Sequence, residues 1–302
     1  MTSRDGLHEG ELQVQHKAGL TAEAARLVGI LHNANISDGM RRFLADQDFA
    51  VITSRAADGR LWTSPLYGVP GFCAADGAAL RVAGRPRPGD PLHGLQRGSL
   101  AGMLVLDFQR RRRLRVNGLV GDVGGTGFEL AADQTFGNCP QYIQQQVVEP
   151  VGESGNRFSV THHTRLEAEH AAQVKRADTF FLGTAHPTHG IDASHRGGSP
   201  GFVRVEADEL WWPDYPGNNL FNSMGNIAVN PEASLLFIDF HEGTSLQFSG
   251  EAYLDWHPPG VPGDDSGTGR RVRFLPLEVV RTVGIPFRSV SHEGYSRNPA
   301  IT

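Results

Sequence analysis

Two segments near the middle of the chain combine residue types that can hold an anion. The first is Ser194-His195-Arg196-Gly197-Gly198, on a predicted strand, where the Arg196 guanidinium can grip a phosphate through two hydrogen bonds. The second is Pro216-Gly217-Asn218-Asn219, directly before a helix predicted to begin at Leu220. A glycine-containing turn at a helix N-terminus offers exposed amides and the positive end of the helix dipole. The pattern predicts a phosphate site, with a helix-entry turn and a surface arginine as the alternative.

A third segment places a thiol beside polar and aromatic groups. It is Asn138-Cys139-Pro140-Gln141-Tyr142-Ile143, which we predict to begin a short helix, with Asn138 as its N-cap and Pro140 in its first turn. A helix N-terminus there would favour the thiolate of Cys139 if the thiol is exposed. A small buried residue at a cap is the alternative interpretation.

Other motifs are weaker. Gly197-Gly198-Ser199-Pro200-Gly201 fits the hydrolase pattern G-x-S-x-G, but Pro200 has no N–H for the oxyanion hole that this motif requires. His186-Pro187-Thr188-His189 holds two histidines, and a metal would need more ligands, so we predict a polar turn and no metal. The run Arg110–Arg113 falls on a predicted hairpin turn and is expected to be solvated.

Strands and helices must position these groups, and the chain repeats its own pattern of them. Leu104-Val105-Leu106-Asp107-Phe108 corresponds to Leu236-Phe237-Ile238-Asp239-Phe240, and Ser64 with Pro70-Gly71-Phe72 corresponds to Ser194 with Pro200-Gly201-Phe202. Only two copies at so long a period indicate a duplicated domain rather than a solenoid. Such copies can pack like a homodimer around a pseudo-two-fold axis.

Each copy is predicted to be a helix followed by about six antiparallel strands. We predict helix over 21–47, with Ile30 and Leu31 facing inward and a second helix starting at Ser37, and another helix over 164–177 capped by Thr164. Residues 1–20 are expected to be loosely ordered, and residues 147–160 to form a linker. The residues after Val283 are expected to form a polar tail. The predicted fold is mainly β with flanking helices: two tandem split β-barrels packed as a pseudo-dimer. The predicted domains are 1–147, with the degenerate barrel, and 148–302, with the binding motifs.

Composition excludes several classes of protein. The 302 residues are 39% hydrophobic and carry a formal net charge of −5, which argues against a nucleic-acid partner because that would require a basic face. No apolar run is long enough for a membrane span, and the N-terminus has no apolar segment of the kind found in signal peptides. Two distant cysteines imply no disulfide framework. We therefore expect a cytoplasmic protein without membrane or nucleic-acid partners.

The three segments and the strand order together resemble the pyridoxamine 5′-phosphate oxidase-like flavoproteins, which have the FMN-binding split-barrel fold. The resemblance covers about residues 40–145 and 170–290. It implies that FMN lies in the cleft between two barrels, one holding the phosphate and the other covering the ring. The residues that it implies for cofactor binding are Gln141, Tyr142, Ser194, His195, Arg196, Gly217, Asn218 and Asn219.

The chain departs from that family at the phosphate turn. The family has basic side chains where this chain has Asn218 and Asn219, so amides, the helix dipole and Arg196 would hold the phosphate. The first copy lacks an arginine in Ser64-Pro65-Leu66-Tyr67-Gly68, which predicts one FMN per chain. The alternative is a second phosphate bound by Arg85 and Arg87.

The resemblance implies an FMN-dependent oxidoreductase that acts on a small organic substrate, with the flavin supplying the redox chemistry. The catalytic group is unknown, with His195 and Tyr215 as candidates. Alternatives are the same scaffold with deazaflavin or haem, and a non-catalytic binding protein that has lost its cofactor. The chain is expected to be a homodimer or a pseudo-dimeric monomer.

Overall fold

The first half of the chain builds a seven-stranded antiparallel sheet. The computed structural model describes residues 6–27, 29, 34–137, 139–151 and 158–302. The strands in chain order are β1 (Phe49–Arg55), β2 (Leu61–Tyr67), β3 (Cys73–Asp76), β4 (Ala79–Val82), β5 (Leu100–Asp107), β6 (Arg112–Val123) and β7 (Phe128–Gly137). Across the sheet they run β2-β1-β5-β6-β7-β4-β3.

The second half repeats that order strand by strand. After β8 (Gln145–Pro150) and β9 (Ser159–His163), the strands are β10 (Thr179–His186), β11 (Gly190–Gly197), β12 (Arg204–Glu206), β13 (Glu209–Pro213), β14 (Glu232–Asp239), β15 (Thr244–Trp256) and β16 (Arg270–Val283). They run β11-β10-β14-β15-β16-β13-β12, and β9 pairs with β16. The predicted mainly β fold, with two tandem barrels, is confirmed.

Helices flank the sheets, and several differ from the prediction. They are α1 (Glu9–Ala18), α2 (Thr21–Ala25), α3 (Asp38–Ala45), α4 (Ala168–Arg176) and α5 (Asn222–Val229). The expectation that residues 1–20 are loosely ordered is wrong for α1. This helix begins with a reciprocal capping box formed by His8 and Glu11. Ser37 caps α3 as predicted, whereas Ile30 and Leu31 lie outside the described residues.

The predicted linker and tail pair with each other. β17 (Phe287–Glu293) forms a two-stranded sheet with β8, because the tail returns to the junction between the halves. β8 spans the predicted domain boundary at residues 147 and 148, which stays a prediction. α4 begins at Ala168 rather than near Thr164, since Glu167 and His170 supply its capping box.

The two barrels share an apolar core along their contact. The rings of Phe49 and Phe181 lie 5.7 Å apart across it. Beside them the hydroxyl of Thr63 lies 2.7 Å from that of Ser234. The backbones approach so closely that a Cβ at Gly102 would lie 2.6 Å from the carbonyl oxygen of Ile191. The halves are therefore packed as tightly as a protein interior.

The N-terminal helix packs on the second barrel. A Cβ at Gly10 of α1 would lie 2.1 Å from the carbonyl oxygen of Gly225 in α5, so the two helices cross at a pair of glycines. Val14 of α1 belongs to the apolar core of the second barrel. Among the described residues, no helix has the length and apolarity needed to cross a membrane.

Candidate functional site

The two barrels enclose a cleft between β6 and β11, which we call the main cleft. Its other walls are the connection 213–222, which leads from β13 into α5, and residues of the segment 139–142. The enclosed volume is about 120 Å³, below the roughly 300–1,000 Å³ of whole small-molecule pockets. This space suits one anionic group, and a larger ligand would extend into the open part of the cleft.

The predicted site residues meet in the main cleft. They come from two barrels and from three separate stretches of sequence, yet all of them line this one space: Gln141, Tyr142, Ser194, His195, Arg196, Tyr215, Gly217, Asn218 and Asn219. Their proximity follows from the pairing of the barrels. That they bind a cofactor stays a prediction.

Two arginines of β6 were missed by the sequence analysis. Arg113 and Arg115 line the main cleft, because β6 begins at Arg112 and alternate residues of a strand face the same side. The prediction of a solvated run is thus wrong for Arg113, although Arg110 is exposed. The i, i+2 spacing of two arginines on one strand was the available signal.

Positive charge is concentrated in this cleft. The Nε atoms of Arg113, Arg115 and Arg196 are buried, and no hydrogen-bond partner for them exists in the described part of the chain. Burial, with the nearby Arg196 and Arg115, lowers the pKa of Arg113 to about 9. Arg115 has a carboxylate partner, Asp192, at 3.4 Å. Unsatisfied buried donors are rare, and three together form a strong anion-binding arrangement.

His195 contributes a neutral donor. Its Nδ1 lies 3.1 Å from Nη1 of Arg113, and guanidinium nitrogens only donate, so the ring proton is on Nε2. Burial, together with the adjacent Arg113 and Arg196, lowers the pKa of His195 well below its ordinary value. Its buried Nε2–H lacks an acceptor within the described residues. His195 can therefore donate to a ligand but is a poor proton acceptor.

Asp192 ties the barrels together behind the cleft. Its carboxylate accepts from Asn226 of α5 at 2.7 Å and also from Asn117 of β6. Arg115 donates to both Asp192 and Ser194. The side-chain partners of Asp192 thus come from the other barrel and from α5.

The 216–219 corner differs from a simple helix entry. The helix begins at Asn222 rather than Leu220, because Asn219 and Phe221 both have a left-handed φ of 59°. The Leu220 N–H is taken by Asn218 Oδ1 at 3.2 Å. Residues 222–224, at the start of α5, line the cleft. The positive end of the α5 dipole is therefore at the cleft, at residues slightly later than predicted.

The segment 139–142 is a turn. No helix begins there, so the predicted dipole effect on Cys139 has no basis, and Asn138 lies outside the described residues. Tyr142 has a φ of 63°, and its hydroxyl donates to the Pro216 carbonyl at 3.0 Å. A Cβ at Gly197 would lie 2.0 Å from the Tyr142 carbonyl oxygen, so only glycine permits this approach.

Tyr215 presents its ring to the cleft rather than an available proton. The Tyr215 hydroxyl donates to Asp265 at 3.1 Å, and burial raises the pKa of Tyr215 above its ordinary value. The ring lies 5.1 Å from that of Tyr142, which in turn lies 5.9 Å from Tyr295. Of these three tyrosines, Tyr142 and Tyr215 line the main cleft, where a flat ligand can stack on an aromatic ring.

The pseudo-symmetric position in the first barrel, the sister cleft, is filled from within. Asp90 accepts from Ser64 at 2.6 Å and from Gln247 at 3.0 Å, and burial raises its pKa to about 6. The remaining space is about 20 Å³. Arg87 donates to the Gly284 carbonyl at 2.8 Å, and Arg85 donates to two other carbonyls. The alternative of a second phosphate at Arg85 and Arg87 is not supported.

α1 brings two further groups to the histidine turn. The rings of His8 and His186 lie 4.3 Å apart, and Glu9 lies 3.3 Å from His186 Nε2. Nδ1 of each ring accepts a backbone N–H, at 3.2 and 3.1 Å. Neutral rings so placed carry their proton on Nε2 and offer no lone pair to the space between them. The cluster therefore suits hydrogen bonding better than metal binding.

Comparison with known proteins gives a family match for the second barrel. Residues 166–256 match the family model of pyridoxamine 5′-phosphate oxidase, which confirms the resemblance inferred from the sequence. That range contains Ser194, Arg196 and the 216–219 corner. The comparison with curated proteins gave no match.

Some solved structures resemble parts of the chain at low identity. An FAD-binding protein of Mesorhizobium loti is 15% identical, with a TM-score of 0.29, covering 41% of this chain and 99% of its own. The FAD-binding protein of Mycobacterium smegmatis is 16% identical, with a TM-score of 0.27, covering 41% and 98%. HupZ of Group A Streptococcus is 12% identical, with a TM-score of 0.26, covering 43% and 99%. Likeness at this level carries no weight for function.

Proposed function

Given a second barrel that belongs to the pyridoxamine 5′-phosphate oxidase family over residues 166–256, we propose that the chain binds FMN in its main cleft and is a flavin-dependent oxidoreductase. The observation that carries this proposal is the set of three buried, unpartnered guanidinium Nε atoms of Arg113, Arg115 and Arg196. A phosphate dianion is a ligand that such donors fit.

The phosphate is assigned to the arginine cluster and the start of α5. Arg113 and Arg196 donate to it, and the amides of residues 222–224 add the helix dipole. Because Asn218 and Asn219 replace basic residues, the positive charge comes instead from β6 of the first barrel. The duplicated chain thus supplies from its other half what the corner lacks.

The rest of the ligand lies in the open part of the cleft. Bound FMN supplies two-electron redox chemistry, and the protein orients it and excludes water. Tyr142 and Tyr215, which line the cleft, offer aromatic surface for stacking. The buried Nε2–H of His195 can donate to a flavin edge or to a small organic substrate. Tyr215, whose hydroxyl is engaged by Asp265, is the weaker catalytic candidate.

The decisive experiment compares FMN with riboflavin, which lacks the phosphate. Titration of the apoprotein should give FMN at least 100-fold tighter binding, since two or more charge-assisted hydrogen bonds are lost with riboflavin. In the double variant Arg113→Ala/Arg196→Ala this difference should fall below about tenfold. Arg112→Gln, an exposed neighbour on the opposite face of β6, should keep it. Equal affinity for the two flavins in the unmodified protein would refute the phosphate assignment.

The absorption spectrum of the purified protein, with mass identification of any released cofactor, separates FMN from deazaflavin and haem. If the protein has no affinity for flavin, and if Arg196→Ala has no effect in the same titrations, the alternative of a non-catalytic binding protein is favoured instead. Oxidation of substrate by the loaded protein is the separate test of enzymatic activity.

A further inference from the structure

A second cavity lies on the other side of Phe181 from the main cleft. It has a volume of about 330 Å³, within the range of small-molecule pockets. Four phenylalanines contribute to its apolar surface: Phe108, Phe181, Phe237 and Phe240. The ring of Phe181 also lies 5.9 Å from that of His195, which lines the main cleft. Phe181 therefore links this cavity to a residue that lines the main cleft.

Two buried polar atoms of this cavity lack partners. Gln173 and Thr179 are 7% and 9% exposed, and within the described residues neither Gln173 Nε2 nor Thr179 Oγ1 has a hydrogen-bond partner. The Gln173 amide has a defined orientation, because its Oε1 accepts from Thr244 at 3.3 Å. Its NH₂ is therefore a buried donor without an acceptor, which is costly unless a ligand supplies one.

Two ion pairs lie around the cavity, and Glu242 lines it as well. Arg176 lies 3.5 Å from Asp239, and His292 lies 2.6 Å from Asp178. A charged ligand would have to compete with these pairs, whereas a neutral ligand would not. The phenylalanine surface favours a flat apolar body, and the Gln173 donor favours a carbonyl oxygen.

We propose that this cavity is a binding site for a neutral, flat aromatic molecule that carries a carbonyl oxygen, held by stacking on the phenylalanines and by a hydrogen bond from Gln173. The site is separate from the anion cluster and does not depend on the function proposed above. A molecule bound in this cavity would lie against Phe181, whose ring is next to that of His195.

Coumarin, an aromatic lactone, is a suitable probe, and naphthalene is its analogue without the carbonyl. Titration followed by ligand-detected NMR should give saturable binding of one coumarin per chain, at least tenfold tighter than naphthalene. Gln173→Met, similar in size but without the donor, should weaken coumarin binding about tenfold and leave naphthalene unchanged. Gln13→Met, at an exposed position of α1, should change neither.

A second variant keeps the proposal testable if Gln173→Met does not fold. Ile238→Trp should fill the cavity and abolish binding of both probes while FMN titration is retained. Absence of saturable coumarin binding to the unmodified protein, or equal coumarin affinity in Gln173→Met, would overturn the proposal. So would loss of coumarin binding in Arg196→Ala, because the probe would then occupy the main cleft.

Discussion

Arg115 of the first barrel donates a hydrogen bond to the hydroxyl of Ser194 in the second barrel. At the pseudo-symmetric place, Gln247 donates to Ser64 at 2.9 Å. The same contact is therefore made twice, once with a charged donor and once with a neutral one. The charged version faces a cleft with unpartnered donors, and the neutral version faces Asp90. This exchange contributes to the opposite electrostatic character of the two clefts.

Replacing Arg115 by glutamine, the residue at the pseudo-symmetric position of the sister cleft, should destabilise the folded protein. Arg115→Gln removes the cationic partner of the buried Asp192, and breaking a buried pair costs about 3 kcal/mol of unfolding free energy. Urea denaturation measures this loss. The control is Arg97→Gln, whose pair with Asp122 is exposed and should change stability by less than about 1 kcal/mol. Equal losses in both variants would show that Arg115 is not a partner of Asp192.

The ratio of bound FMN to chain should be one. Asp90 occupies the sister cleft, and Arg87 is committed to a carbonyl and to the ring of Phe158, 3.8 Å away. Arg87→Ala should therefore leave stoichiometry and affinity unchanged in a calorimetric titration. Two FMN per chain, with one lost in Arg87→Ala, would contradict the assignment of a single site.

The two cysteines should differ in reactivity. Cys139 lines the main cleft, whereas Cys73 is fully buried and burial raises its pKa to about 12. Iodoacetamide should alkylate Cys139 alone, because the thiolate is the nucleophile, and saturating FMN should slow the reaction at least tenfold. Peptide mass spectrometry assigns the site. Labelling at an unchanged rate with FMN bound would mean that the ligand lies elsewhere.

Glu11 should make stability decrease as the pH rises. Burial raises its pKa from the ordinary 4.5 to about 7, so between these values the folded state holds a proton that the unfolded state has lost. The stabilisation is complete below about pH 4.5 and is lost as pH rises to 7, by about 1–3 kcal/mol. His8, 3.6 Å away, has its pKa lowered from 6.5 to about 4. Its ring is therefore neutral in the folded state while the unfolded chain binds a proton there below about pH 6.5, which opposes the Glu11 contribution.

Thermal denaturation from pH 5 to 8 tests this dependence. Glu11→Gln removes the Glu11 contribution, since the amide cannot ionise, so its Tm relative to that of the unmodified protein should rise between pH 5 and 7. Glu23→Gln, at an exposed position of α2, is the matched control and should show no such pH-dependent difference in Tm. An equal slope in all three proteins would place the titrating group elsewhere.

The sequence predicted what is encoded locally. The repeat was visible because corresponding segments keep their residue types, and the 194–196 and 216–219 segments were identified because each is continuous. Arg113 and Arg115 were missed because their role depends on contact with β11, about 80 residues away. The late start of α5 depends on left-handed backbone at Asn219 and Phe221, which non-glycine residues rarely adopt. The packing of α1 on α5 joins two segments that are far apart in the sequence, and no local pattern indicates it.

The filling of the sister cleft by Asp90 has an evolutionary consequence. In a dimer of identical subunits every substitution is made at both symmetry-related positions, so one active cavity cannot be surrendered without the other. A single chain with two barrels is not subject to that restriction. Here one half places Asp90 inside its own cleft, while the other cleft is lined by arginines of both barrels.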